Sequence, residues 1–121
     1  IVAALGAERG ETEAWAAATL KDLQRCSPTS LKVTHRHVRA VRDADLRATL
    51  EQDFRLASRF MRGHDFYEGV RAGLIDRDHA PKWQPDSLDQ VSDTAVEAYF
   101  APLGNEELQL ASRAEMQAVR S

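Results

Sequence analysis

Several features that would assign a functional class at once are scarce or missing from this sequence. Its single cysteine, Cys26, cannot form an internal disulfide, so a reducing compartment is the default expectation. No apolar run approaches the roughly 20 residues that cross a bilayer. The net charge of −3 argues against a nucleic-acid binder, which usually carries a basic face. The sequence also lacks the alternation of apolar and polar residues that is typical of a β-strand, and it has no internal repeat or low-complexity tract.

What is present is an ordinary globular composition, with 43% hydrophobic and 29% charged residues. The chain opens at Ile1 rather than Met and lacks the basic-then-apolar pattern of a signal peptide. We therefore expect residues 1–121 to form a single, mostly α-helical domain that is a fragment of a longer enzyme, with the tail 106–121 loosely ordered.

The first part of the chain predicts two helices. Thr12 is placed to cap a helix whose apolar face runs from Trp15 to Leu23 at three- and four-residue spacing. Ser27 and Pro28 start another helix, because serine is a good N-cap and proline suits the first helical position.

The clearest helix begins near Asp43 or Asp45 and carries an apolar stripe with helical spacing. The stripe consists of Leu46, Leu50, Phe54, Ala57 and Met61. Gly63 is expected to cap the C-terminal end of this helix, since glycine accepts the left-handed conformation found there. The following helix opens at Asp65, where Glu68 completes a capping-box-like pair.

Two glycines, Gly69 and Gly73, lie four residues apart on one face of that following helix. Each costs about 1 kcal/mol relative to alanine, and tight packing is the usual reason for such a residue in a helix. We therefore expect one of them to contact the backbone or a large side chain such as Phe54, another residue of the apolar stripe near Phe66, or Trp83. Trp83 itself is expected to pin an extended segment from Asp76 to Leu88, ahead of a short helix from Ser92 to Phe100.

The histidines and the cysteine have simple structural interpretations. His35 and His37 stand two apart, so on a helix they point in different directions and cannot chelate one ion together. His64 and His79 are expected at helix ends or in loops. No histidine is placed beside Cys26, so packing is favoured over a nucleophilic role.

The charged residues are also explained without catalysis. Asp65 and Glu68 are expected as helix caps, and Asp76 and Asp78 fit a turn, so an acid–base pair is the less favoured interpretation. A basic group could contact a phosphate-bearing ligand, although a solvated basic face is favoured. That group consists of Arg62, Arg71, Arg77 and Lys82.

Two stretches of sequence carry a family resemblance. One is Cys26-Ser27-Pro28-Thr29-Ser30-Leu31-Lys32, and the other runs from Phe60 to Trp83 and is followed by a matching Phe100–Gly104 segment. Both resemble the C-terminal region of the 3-hydroxyisobutyryl-CoA hydrolases, a branch of the enoyl-CoA hydratase (crotonase) superfamily. The motif residues, for which a structural role is expected, are Ser27, Pro28, Arg62, Gly63, His64, Asp65, Phe66, Glu68, Gly69, Arg71, Asp76 and Trp83.

The resemblance implies a larger enzyme with an N-terminal spiral of strands and helices, followed by helices like these. In the family, two backbone N–H groups of the spiral hold the thioester oxygen as charge develops on it. The hydrolase branch cleaves 3-hydroxyisobutyryl-CoA in valine breakdown. No catalytic position of the spiral has a match in this chain. Hydratase relatives also place an aromatic residue and a lysine near CoA, and the matching positions here are Gly73 and Asp76, which supply neither contact.

We therefore interpret the chain as the non-catalytic helical C-terminal part of a 3-hydroxyisobutyryl-CoA hydrolase-like thioesterase, which packs on the spiral and helps close the acyl-CoA site. The same region of an enoyl-CoA hydratase or isomerase, and a stand-alone helical interaction module, remain alternatives. No catalytic, cofactor-binding or metal-binding residue is assigned.

The expected partners are an acyl-CoA, reached through the spiral, and either the spiral or a second copy of the chain as packing partner. No nucleic acid, membrane or cofactor is expected. The expected location is the cytoplasm in a bacterium and the mitochondrial matrix in a eukaryote.

Overall fold

The computed structural model describes residues 1–120, and helices make up most of this range. They are α1 (Val2–Ala7), α2 (Glu13–Gln24), α3 (Pro28–Ala40), α4 (Leu46–Phe60), α5 (His64–Val70), α6 (Asp93–Phe100) and α7 (Arg113–Ala118). A π-helical turn, Arg71–Ile75, extends α5, and short 3-10 turns span Gly10–Thr12, Leu88–Gln90 and Gly104–Glu106. Residues 1–120 contain no strand and no helix long and apolar enough to cross a bilayer. The prediction of a mostly α fold is confirmed.

Three of the predicted helix starts have the expected cap. The side-chain oxygens of Ser27, Asp45 and Ser92 accept hydrogen bonds from the backbone N–H three residues later, at 3.2, 2.7 and 3.1 Å. Each bond satisfies one of the N–H groups that a helix start leaves free. Thr12 does precede α2, but its side chain makes no cap bond, because a 3-10 turn already runs into the helix.

Two other cap predictions are wrong. Gly63 is not the left-handed C-terminal cap of α4: its φ of −98° and ψ of 167° are extended, and it occupies the N-cap position of α5. Only two residues separate it from the end of α4, so the backbone turns directly into the next helix. Asp65 and Glu68 form no capping box either, because α5 begins at His64 and has no side-chain cap bond.

The hydrophobic core lies where α6 packs against α3 and α4. Phe60 and Tyr99 pack against its buried members. These members are Val33, Leu56, Val91, Val96 and Phe100. The guanidinium of Arg36 covers the Phe100 ring at 4.4 Å, so one edge of the core is closed by a cation–π contact.

The apolar stripe of α4 does not face this core. Leu46 is 74% exposed, Leu50 42%, Phe54 40% and Met61 55%, whereas Leu56 on another side of the helix is 7% exposed. The periodicity predicted the helix correctly, but a different face packs on α6. The stripe is left open within residues 1–120.

Four arginines, three in α4 and one just beyond it, bind the end of α6 and the segment that follows it. Arg47 donates to the carbonyls of Leu110 and Ala111, and Arg59 donates to the carbonyls of Ala101 and Pro102. Arg55 donates to the carbonyl of Phe100 and to the Glu107 carboxylate. Arg62, just beyond the helix, pairs with Glu106. Ser112 and Glu115 then form a reciprocal capping box at the start of α7. This row of arginines was not predicted, although the spacing of its members along α4 was visible in the sequence.

Candidate functional site

The two stretches that carry the family resemblance meet beside α5, in a set of side chains that we call the polar network. Its members are Ser27, His64, Asp65, Glu68, Arg71, Asp76 and Asp78. Most come from α5 and its π-helical turn, and they hold the extended backbone of residues 80–84. The network therefore connects three parts of the chain that are separate in sequence.

Asp65 joins the start of α3 to the start of α5. Its side chain is 8% exposed. The Ser27 hydroxyl donates to Oδ2 at 2.5 Å, and the backbone N–H of Gln84 donates to Oδ1 at 2.9 Å. Nδ1 of His64 also lies 2.9 Å from Oδ1. Asp65 thus fixes three segments through one carboxylate.

Glu68 and Arg71 form the centre of the network. The pair is bidentate, with Nε 2.9 Å from Oε2 and a terminal guanidinium nitrogen 2.7 Å from Oε1. The Lys82 N–H adds a bond to Oε1 at 2.7 Å. The hydrogen bonds from Arg71, and next the one from Lys82, lower the pKa of Glu68 from 4.5 to about 2. Glu68 is consequently ionised at neutral pH and is a weak proton acceptor.

Arg71 also closes the loop that follows the π-helical turn. Its other terminal nitrogen reaches Asp76 at 2.8 Å and Asp78 at 2.7 Å, and its carboxylate partners raise the pKa of Arg71. The Ala80 N–H, and next Arg71, lower the pKa of Asp78. Arg77 and His79, the residues on either side of Asp78, have positive φ values of 54° and 52°. Left-handed backbone is unfavourable for such residues, and the ion pairs of Arg71 hold the loop in this conformation.

Trp83 also holds the extended segment of residues 80–84 in place. Its indole N–H donates to the carbonyl of Arg25 at 3.1 Å, just before α3. A Cβ placed on Gly69 would lie 3.4 and 3.6 Å from atoms of its ring. The expectation that one of the two glycines contacts a large side chain is therefore confirmed. That glycine is Gly69, since nothing lies within 4 Å of a Cβ placed on Gly73.

The order of hydrogen bonds excludes a nucleophilic triad from this network. Ser27 and His64 both contact Asp65, so the order is serine, aspartate, histidine. A nucleophilic serine instead needs the histidine between itself and the carboxylate. Ser27 is also 5% exposed and caps α3. The arrangement positions backbone segments and offers no activated nucleophile.

The remaining predicted residues lie beside the network rather than in it. Pro28 is buried at the first position of α3. Arg62 pairs with Glu106, and Gly63 precedes α5. Phe66 is 43% exposed and meets the Tyr67 ring edge-on, with 5.3 Å between centroids.

The histidines and the other acidic side chains do not gather into a metal site in the described part of the chain. No group of three or more His, Cys, Asp or Glu side chains within residues 1–120 is arranged to hold an ion. His37 instead lies 2.7 Å from Asp53 and joins α3 to α4.

The family model for enoyl-CoA hydratase/isomerase matches residues 1–100. The chain belongs to the enoyl-CoA hydratase/isomerase family. Within it, the resemblance to 3-hydroxyisobutyryl-CoA hydrolases is confirmed. The mitochondrial 3-hydroxyisobutyryl-CoA hydrolase of Gallus gallus is 48% identical over 91 residues, 75% of this chain and 24% of the relative. That of Homo sapiens is 44% identical over 89 residues, 74% of this chain and 23% of the relative.

Two solved structures of family enzymes have the same arrangement of helices. An enoyl-CoA hydratase from Rhodobacter sphaeroides superposes with a TM-score of 0.82 at 33% identity, over 91% of this chain and 32% of its own. A carnitinyl-CoA dehydratase from Mycobacterium thermoresistibile gives 0.75 at 37% identity, over 89% of this chain and 30% of its own. The chain therefore spans about a quarter of the curated relatives and a third or less of these structures.

Proposed function

We propose that this chain is the non-catalytic helical part of a 3-hydroxyisobutyryl-CoA hydrolase-like thioesterase, and that it packs on the catalytic part and helps close the acyl-CoA site. The similarity to the hydrolases carries this proposal: it reaches 48% identity to the Gallus gallus enzyme. The substrate is then an acyl-CoA thioester bound mainly outside this chain. In a eukaryote, the enzyme would reside in mitochondria, as the names of its curated relatives state for them.

The polar network supports a structural role for this part of the enzyme. An acid–base catalyst needs a pKa near the working pH, whereas the pKa of Glu68 is about 2. Asp65 is occupied by Ser27, His64 and the Gln84 backbone. These carboxylates fix loops, which supports the proposal that the chemistry comes from groups outside this chain.

The second candidate is the same part of an enoyl-CoA hydratase. The superposition on the Rhodobacter sphaeroides enoyl-CoA hydratase, with a TM-score of 0.82, favours it. Its sequence identity of 33% is lower than the 48% found for the hydrolase from Gallus gallus, so the hydrolase remains the first proposal.

An assay of the full-length protein that contains this chain separates the two reactions. The protein is incubated with 3-hydroxyisobutyryl-CoA and, separately, with crotonyl-CoA. Free CoA is followed with a thiol reagent, and hydration is followed by loss of the enoyl absorbance. The hydrolase proposal expects CoA release from the hydroxyacyl thioester. Hydration of crotonyl-CoA with no CoA release would establish the hydratase instead.

A further inference from the structure

The chain after α6 divides into a fixed part and a more exposed part. The carbonyls of residues 100–102 accept hydrogen bonds from Arg55 and Arg59 of α4, at 3.0–3.1 Å. These bonds satisfy carbonyl groups that the end of a helix leaves free, and they fix the end of α6 to α4. The residues that follow, 103–111, run back along α4 and are called the strap here.

The strap adds little to the hydrophobic core. Within residues 103–111 no residue is buried, and its three leucines, Leu103, Leu108 and Leu110, are half-buried and lie outside the core cluster. Arg47, Arg55 and Arg62 hold the strap through two of its backbone carbonyls and two carboxylates. Polar contacts near the surface stabilise much less than burial of large apolar side chains, so opening of the strap should cost less free energy than unfolding of the core.

Glu107 makes the strongest of these contacts. Its Oε1 lies 2.9 Å from Nε and 2.8 Å from a terminal nitrogen of Arg55, and it accepts from the Leu103 N–H at 2.7 Å. The pKa of Glu107 is lowered chiefly by the Leu103 N–H and further by Arg55. Arg55 uses its other terminal nitrogen for the carbonyl of Phe100, so the contact with α6 does not depend on Glu107.

Gly104 provides a place where the backbone can turn. Its φ is 64°, and nothing lies within 4 Å of a Cβ placed on it. A glycine in open space can change its backbone angles at low cost, as a hinge requires. It follows directly after the carbonyl of Pro102 that Arg59 holds, apart only from Leu103.

We propose that the strap opens and closes as a unit about Leu103 and Gly104, with the pair of Arg55 and Glu107 as its latch, while the core of α3, α4 and α6 stays folded. Opening removes Glu106 and Glu107 from the row of arginines, so this side of α4 becomes more basic. The motion requires no particular acyl-CoA reaction and is therefore independent of the proposed function.

Native-state proteolysis of the full-length protein tests the latch. Thermolysin cleaves before leucine and needs an opened stretch of several residues, so cleavage at Leu108 or Leu110, located by mass spectrometry, reports the population of the open strap. We expect Glu107→Gln to raise the rate of this cleavage about tenfold, because a charge-assisted hydrogen bond is lost. Glu106→Gln, next to it, removes a carboxylate whose pair with Arg62 is more than half exposed, and should change the rate by about twofold or less.

A core variant tests whether the strap opens separately. Val33 of α3 is 1% exposed and belongs to the core. Val33→Ala should lower the melting temperature of the full-length protein by several degrees and leave the rate of strap cleavage unchanged. A rate that rises in Val33→Ala together with the loss of stability would mean that the strap opens only when the core unfolds. Equal rates for Glu106→Gln and Glu107→Gln, or a parent rate that neither changes, would show that Glu107 is not a latch. Each of these results would overturn the proposal.

Discussion

The hydroxyl of Ser27 donates a 2.5 Å hydrogen bond to Asp65, 38 residues further along the chain. The same hydroxyl oxygen accepts from the N–H of Ser30 and so caps α3. One side chain thereby sets both the start of α3 and its position against α5. This contact links the two motif stretches of the family, and Trp83 of the second stretch also donates to the carbonyl of Arg25, the residue just before the first stretch.

We expect Ser27→Ala to destabilise the chain more than the matched change Ser92→Ala. Both changes remove a serine N-cap, a loss worth about 1 kcal/mol. Ser27→Ala also removes the donor to Oδ2 of the largely buried Asp65 carboxylate, which adds roughly 1–3 kcal/mol. Urea unfolding of the two variants measures the difference. Equal losses would show that the bond between Ser27 and Asp65 adds nothing to the cap.

The two glycines after Asp65 allow a second matched comparison. Gly69→Leu places a side chain against the Trp83 ring, where a Cβ alone would already lie 3.4 Å from a ring atom. The side chain of Gly73→Leu instead projects into open space. Overpacking typically costs about 1–3 kcal/mol. Thermal unfolding should therefore show a lower melting temperature for Gly69→Leu and no comparable fall for Gly73→Leu. If the two variants melt at the same temperature, the packing of Trp83 on Gly69 does not constrain that position.

Acid should weaken the fold through Glu68. Its pKa is lowered from 4.5 to about 2 in the folded chain, chiefly by Arg71. Ionised Glu68 therefore contributes its full stabilisation above about pH 4.5, and this contribution is lost as the pH falls toward about 2. The free energy of unfolding of the parent should decrease across this window.

Glu68→Gln should reduce that dependence on pH, because glutamine does not titrate. Urea unfolding between about pH 5 and about pH 2 measures the slope for each protein. Glu13→Gln, at an exposed position at the start of α2, controls for removal of one carboxylate. Parallel curves for the parent and Glu68→Gln would show that this carboxylate is not responsible for the acid sensitivity.

Helix starts were predictable because cap chemistry is local. Ser27, Asp45 and Ser92 each bind an N–H only three residues away, so the sequence pattern contains both partners. Asp65 and Glu68 fit the same local pattern, yet Asp65 accepts from the distant Ser27 and Glu68 accepts from the distant Lys82 N–H as well as from nearby Arg71. A three-residue spacing does not distinguish a capping box from a long-range network.

Packing was predictable only in part. The glycine at position 69 correctly indicated a close neighbour, because its lack of a side chain is a steric requirement. The apolar period of α4 correctly indicated a helix, but Leu50 and Phe54 on that face remain 42% and 40% exposed while Leu56 packs in the core. Hydrophobic spacing identifies the apolar face of a helix, but it does not show which residues pack against that face.

The most direct test of a structural, non-catalytic role is a comparison of thioester cleavage by two proteins. The purified 121-residue chain and the full-length protein are assayed side by side for CoA release from 3-hydroxyisobutyryl-CoA, at equal molar concentration. We expect turnover by the full-length protein and none above background by the isolated chain, because Ser27 is not activated and the pKa of Glu68 is about 2. CoA release by the isolated chain would contradict the account, since it would place catalytic groups within these helices.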